Sequence, residues 1–293
     1  MAERALVVGW PSFVNGIATA GDVLAMEAAR EELQRAGLPC DMALSPVFRP
    51  EGLRLEDASP ARYTHLVFAC GPLHGPQVAG LHTRYAHCRR VAVGVSVIDP
   101  ADPAASGFHV ILARDGDGAE PQADLALHPR HPPVPVAGVI LADKQPEYGE
   151  GSRGDQAGAH LTRWLRGWDC ALIPLDTRLD REDWRLPGHP AELEAVIGRL
   201  DLVVTTRLHG LVLALKNGVP ALAVDPVAGG AKVTAQARVW AWPATMTIDH
   251  LDQERLGYWR DWCLSPAGKS AASRTAASPP DSSLRSLRRA VGR

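Results

Sequence analysis

The stretch that decides the fold is Asp201–Pro226, DLVVTTRLHGLVLALKNGVPALAVDP. Leu202–Thr206 is an apolar, β-branched run that reads as a strand covered on both faces. Leu208–Asn217 keeps helical spacing, and Gly218 followed by Pro220 stops it. Ala221–Val224 is then a second strand. A strand, a helix and a strand joined by such short connections form a right-handed crossover between parallel strands.

The same alternation continues on both sides. Downstream, about Gly230–Trp240 reads as a helix, and Leu251–Cys263 as another with Leu256, Trp259 and Cys263 on one face. Upstream come Pro190–Leu200 as helix, Cys170–Leu175 as strand, Asp155–Leu165 as helix and Val136–Ala142 as strand. His128–Pro135 (HPRHPPVP) holds four prolines in eight residues, which excludes a helix and marks a hinge or linker. Before it, Ala5–Gly9 is a first strand, and a helix capped by Asp22 runs to about Ala36 with Val23, Met26, Ala29 and Leu33 on one face. Strands are expected at Thr64–Ala69, Val91–Val97, Phe108–Leu112 and Asp124–Leu127. The pattern predicts an α/β protein with two Rossmann-like domains, 1–132 and 133–263, in which ligands sit beyond the carboxyl ends of the strands.

Composition narrows the class. The chain has 293 residues, 46% of them apolar and 22% charged, and no run long enough for a membrane span. Five widely spaced cysteines, an odd number without a CxxC pair, exclude a disulfide framework and a ribbon-type zinc site and suit a reducing cytoplasm. No signal peptide is read at the start, so the expected location is cytoplasmic. The net charge is −2. Residues 264–293 read as a disordered basic tail, with six cations against Asp281, and the body is correspondingly more acidic. An acidic body does not neutralise phosphates along a nucleic acid, so no nucleic-acid partner is expected. Neither GxGxxG, GxxxxGK nor GxSxG occurs, and the histidines of LHTRYAHC (residues 81–88) lack the spacing of a metal site. No metal or cofactor is expected.

Arg207 and His209 stand at the turn from strand to helix, where unpaired N–H groups and the positive end of the helix dipole favour an anion. There Arg207 can fork onto a phosphate or carboxylate and His209 can move a proton. The bland alternative is that Arg207 pairs with a structural carboxylate and His209 caps the helix. Gly229-Gly230 can equally cradle a phosphate or form a flexible turn.

Arg207-Leu208-His209, the apolar helix after it, Gly218-Val219-Pro220 and the strand ALAVDP together resemble the C-terminal signature of the polysaccharide pyruvyl transferase family. Asp225-Pro226 with the later Lys232 is similar to that family's strand ending. Asn15 and Gly21-Asp22, five residues apart, are similar to its asparagine and GD element, and Arg114-Asp115 to its RD segment. Where the family has a glycine-rich turn, this chain has Cys70-Gly71-Pro72 with His74 and Gly75. The resemblance implies a GT-B fold, with the two domains facing across a cleft. It implies transfer of a pyruvyl group from phosphoenolpyruvate to two hydroxyls of a sugar or glycan acceptor, closing a cyclic ketal. His209 would then be the proton donor, and Arg207, Arg114, Lys232, Asn15, Asp22 and His74 substrate-binding residues. A lipid-linked acceptor would bring peripheral contact with a membrane. The alternatives are a GT-B glycosyltransferase using a nucleotide sugar, and a catalytically silent relative.

Overall fold

The computed structural model describes residues 2–13, 18–116, 118–142, 146–280 and 284–291, without the side chains at 146, 285 and 288. The candidate Asn15 lies outside the described residues. Two compact units divide the chain, residues 1–132 and 133–293.

The first unit holds β1 (Ala5–Val8), α1 (Ala20–Arg35), β2 (Cys40–Met42), β3 (His65–Pro72), α2 (Gly75–Arg84), β4 (Arg89–Val97), the single turn α3 (Pro103–Ser106) and β5 (Val110–Gly116). Its strands form a parallel sheet in the order β2-β1-β3-β4-β5. Because side chains alternate along a strand, Leu6, Val8, Leu66 and Phe68 enter one core while Val7, Val67 and Ala69 pack on the other face with Met26 of α1. Both faces are thus apolar, as a sheet covered on two sides requires. The cap of α1 is Thr19, whose hydroxyl accepts the Asp22 N–H at 3.2 Å, so Asp22 lies in the first turn and is not the cap. Leu125–Leu127, expected as strand, is a 3-10 turn, because Asp124 caps it through the Ala126 N–H.

The second unit repeats the plan: β6 (Val136–Ile140), α4 (Gly154–Leu165), β7 (Ala171–Pro174), α5 (Pro190–Ile197), β8 (Leu202–Thr205), α6 (Leu208–Lys216), β9 (Ala221–Asp225), α7 (Lys232–Val239), β10 (Thr245–Thr247), α8 (Gln253–Leu264), α9 (Pro266–Ala277) and α10 (Leu284–Ala290). The strand order is β10-β9-β8-β6-β7, again parallel throughout. In sequence order within each unit, both sheets therefore run 2-1-3-4-5. That order reverses direction between the first and third strands, the place where open α/β sheets bind ligands. The mixed α/β class with two Rossmann-like units stands as read.

Within the tail read as disordered, Pro266–Ala277 forms a capped and packed helix instead. Ser265 caps α9 through the Gly268 N–H, Ala272 is fully buried, and Lys269 reaches Asp201 at 3.1 Å. A Cβ on Gly268 would stand 2.2 Å from the Trp262 carbonyl, so α9 folds back on α8 by a contact only glycine permits. Among the described residues no helix is long and apolar enough to cross a membrane.

Candidate functional site

The turn between β8 and α6 lies at the reversal point of the second sheet, and two threonines build it. The buried Thr205 hydroxyl donates to the Ile140 carbonyl at 2.9 Å and accepts the Arg207 N–H at 2.9 Å. Thr206 accepts the Ala142 N–H at 2.6 Å. Both hydroxyls thus tie the end of β8 to the end of β6 and replace ladder bonds that stop there. Gly210 lets α6 start this close, since a Cβ on it would sit 2.2 Å from Thr205 Oγ1. The other end of α6 closes in a Schellman motif: Gly218, at φ +71°, and Val219 donate to Leu215 and Ala214.

Arg207 is the residue just before α6. Its Nε donates to the Leu141 carbonyl at 2.9 Å, and Nη1 stands 3.6 Å from Asp176 Oδ1 and 3.5 Å from Thr177 Oγ1. The guanidinium therefore spans the ends of β6 and β7 while remaining about a fifth exposed. Burial works to raise the Asp176 carboxyl, but the Arg178 N–H and guanidinium and the charge of Arg207 outweigh it and hold it below its ordinary value. Two residues along, His209 is exposed, and its ring has no hydrogen-bond partner among the described residues. The first-turn N–H groups of Leu208, His209 and Gly210 likewise find no acceptor there. A guanidinium, an imidazole and three N–H groups without an acceptor among the described residues thus follow one another at one helix start, an arrangement suited to a small anion.

Lys232, the first residue of α7, lies 3.3 Å from Glu147 Oε1 and above the Tyr148 ring. The glycine loop before it is organised by carboxylates. Fully buried Asp225 accepts the N–H groups of Val227, Ala231 and Thr234, and Asp249 accepts that of Gly229 at 2.7 Å. The N–H groups of Gly229, Ala231 and Thr234 are occupied by these two side chains and that of Gly230 by the Val227 carbonyl, so the glycine loop is a braced turn.

Arg114, Asp22 and His74 belong to the first unit. Arg114, on β5, donates Nε to Asp115 at 2.7 Å, Nη1 to Asp124 at 2.6 Å and Nη2 to Ser96 at 2.8 Å; the two carboxylates, Asp115 most, raise its pKa against the effect of burial. Its Nη1 also approaches Cys70 Sγ at 3.9 Å. The Cys70 thiol is pushed up to about 11, chiefly by burial and then by the Asp22 carboxylate. Arg114 and Asp22 thus both act on Cys70, the first residue of the turn that stands in place of the family's glycines. Cys70 carries φ +68° beside Gly71 at +78°, a strained pair for a non-glycine residue. His74 caps α2 and is exposed, its ring 5.1 Å from that of Trp10. Trp10 covers the reversal point of this sheet: its Nε1 donates to the Pro72 carbonyl, and a Cβ on Gly71 would lie 2.3 Å from the indole.

A cavity of about 570 Å³ lies elsewhere in the second unit, between α7, β10 and α8. Arg238, Arg255 and His250 line it without a carboxylate. Two more of its lining residues, Thr234 and Thr245, bury hydroxyls that find no partner among the described residues.

Fold and site define a two-unit α/β protein with an anion-suited strand-to-helix turn in its second unit. The model of the polysaccharide pyruvyl transferase family matches residues 125–226, roughly a third of the chain, ending on Asp225-Pro226. That segment contains Arg207–Pro220, the residues on which the resemblance to this family rests. A search of curated proteins finds no match. Among solved structures the chain is similar to a spinosyn rhamnosyltransferase complexed with thymidine diphosphate, at 13% identity over 97% of this chain and 99% of that one, TM-score 0.35. It is also similar to a calicheamicin glycosyltransferase (14% identity, 94% of each chain, TM-score 0.31). A third is UDP-GlcNAc 2-epimerase from Methanocaldococcus jannaschii (9% identity, 94% and 98%, TM-score 0.32). Likenesses this distant say nothing of substrate or reaction.

Proposed function

We propose that the chain transfers a pyruvyl group from phosphoenolpyruvate to two hydroxyls of a sugar or glycan acceptor, forming a cyclic ketal. The observation that carries this reading is the placing of Arg207 and His209 on the open first turn of α6, at the reversal point of the second sheet. Phosphoenolpyruvate brings a carboxylate and a phosphate, and Arg207 with the helix N–H groups supplies fixed donors for one of them. His209 delivers a proton to C3, turning the methylene into a methyl group and leaving C2 electrophilic. One acceptor hydroxyl adds to C2. The second then displaces phosphate, and the bond from C2 to the phosphate oxygen breaks. Of the two hydroxyl protons, one replaces that spent by His209 and the other leaves with phosphate, so charge and atoms balance.

Lys232, Arg114, Asp22, His74 and Asn15 remain candidates for holding substrate, with Arg114 already bridging two carboxylates. The reaction is placed in the cytoplasm, and a lipid-linked acceptor would be met at the membrane surface.

A second reading, glycosyl transfer from a nucleotide sugar, is favoured by one observation: the carboxylate-free groove with Arg238 and Arg255. Calorimetric titration separates the two. Saturable phosphoenolpyruvate binding, lost in Arg207→Ala and in Arg207→Lys but kept in His209→Ala, supports pyruvyl transfer; Lys lacks the fork. Binding of UDP but not phosphoenolpyruvate overturns it.

A further inference from the structure

The connection from β7 to α5 begins at the partners of Arg207, Asp176 and Thr177, and ends at His189, just before α5. Between them the chain folds into a closed loop. Asp180 donates its N–H to the Pro187 carbonyl at 3.0 Å, and its Oδ1 accepts the N–H groups of Glu182 and Asp183. Asp183 holds Arg185 through both oxygens, each at 2.8 Å. Glu192 of α5 accepts the Gly188 N–H at 2.6 Å. Residues 180–188 are thereby fixed by their own polar groups, with almost no apolar packing inside.

This braced loop presents Trp184 with 91% of its surface exposed and no aromatic partner among the described residues. The other tryptophans of the second unit, 164, 168, 240, 242, 259 and 262, all pack against its core. Beside Trp184 runs a groove of about 390 Å³ lined by Asp180, Arg181, Asp183, His189 and Glu192. One indole ringed by ionic groups is too small an apolar patch for the core of a protein interface. It does match a pyranose ring, which offers an apolar C–H face to an aromatic plane and a rim of hydroxyls to carboxylate acceptors and guanidinium or imidazole donors.

We propose that Trp184 is the stacking platform of an acceptor-sugar subsite, with the carboxylates of Asp183 and Glu192 receiving hydroxyls of the same residue. The assignment rests on the proposed reaction for its acceptor, and it makes the β7–α5 connection serve both substrates. Its first residues steady Arg207, and its tip holds the glycan.

The test uses the full chain labelled with 5-fluorotryptophan, the Trp184 resonance being assigned through Trp184→Phe. Lactose, maltotriose and mannotriose are titrated separately, with and without phosphoenolpyruvate. At least one is expected to move the Trp184 resonance saturably. Trp184→Ala should then weaken that sugar at least tenfold and Trp184→Phe by under fivefold, with melting temperature and phosphoenolpyruvate affinity unchanged in both. The proposal is overturned if none of the three moves the resonance, or if Trp184→Ala binds the same sugar as tightly as the native chain. Failure of the donor reading looks different: sugar binding would persist while phosphoenolpyruvate fails to bind the native protein.

Discussion

Replacing Gly210 by alanine puts two physical effects in opposition, and the structure decides which wins. In a helix interior, alanine is favoured over glycine by about 1 kcal/mol, so propensity alone makes Gly210→Ala stabilising. Geometry says otherwise. The new Cβ would stand 2.2 Å from Thr205 Oγ1 and 2.9 Å from Thr205 Cβ, over a buried strand end that has no room to yield. Thr205 cannot simply turn away, because its hydroxyl donates to Ile140 and accepts from Arg207. Relief requires α6 to lift off β8 or Thr205 to give up these bonds. Overpacking costs about 1–3 kcal/mol and each of the two lost hydrogen bonds about 1 kcal/mol, giving a net destabilisation of about 2–4 kcal/mol after the helix term. Urea unfolding of the native and variant proteins measures it. Because Arg207 is carried on the same turn, phosphoenolpyruvate affinity should fall at least tenfold. A cycle with Thr205→Ala isolates the clash, and Gly210→Ala should cost over 1 kcal/mol less in that background. A Gly210→Ala protein as stable as the native one, or stabilised, would refute the reasoning.

Three further outcomes are expected. Asp225→Asn keeps one acceptor oxygen but turns an NH2 group towards N–H groups of the glycine loop, and should lower urea stability by about 3 kcal/mol, since hydrogen bonds to a charged group are worth about 1.5–3 kcal/mol each. The His82 imidazole is held below its ordinary 6.5 chiefly by burial, so the unfolded chain binds the proton more readily. Its contribution to stability is complete above about pH 6.5 and is lost as pH falls towards the folded value; His82→Leu should flatten that part of the pH–stability curve measured by urea unfolding. The Cys70 thiol, pushed up to about 11 and buried, should resist iodoacetamide at pH 8 in the native state and react on unfolding, as peptide mass mapping would show.

The α/β alternation was legible because strands such as Leu202–Thr205 and Ala221–Asp225 are buried on both faces and so are apolar at every position. Arg207 and His209 were legible because a fixed cation and an imidazole stand out at a strand-to-helix turn. The helix α9 was not, because PAGKSAASRTAA has no large apolar stripe. It packs through Gly268 and Ala272, where smallness is what matters. Asp124 reads as the start of a strand, yet it caps a turn and bonds Arg114, a pairing that depends on a residue brought in by a neighbouring strand. Cys70 gave no signal in composition or spacing; only its backbone angle and its neighbours mark it. Trp184 is one of eight tryptophans in the sequence, and its exposure separates it from the rest.

The all-parallel ladders have a kinetic consequence. A parallel pair cannot close through a hairpin, so β6 at Val136–Ile140 must wait for β8, some sixty residues later, before its inner edge is paired. Loop-closure entropy is spent before those contacts form, which places such topologies among the slower folders. During synthesis the first unit, complete at Pro132, can settle while the second is still being made. Until β8 arrives, β6 offers an apolar, unpaired edge to any neighbouring chain. That interval, and not the finished protein, is where aggregation and chaperone capture should concentrate.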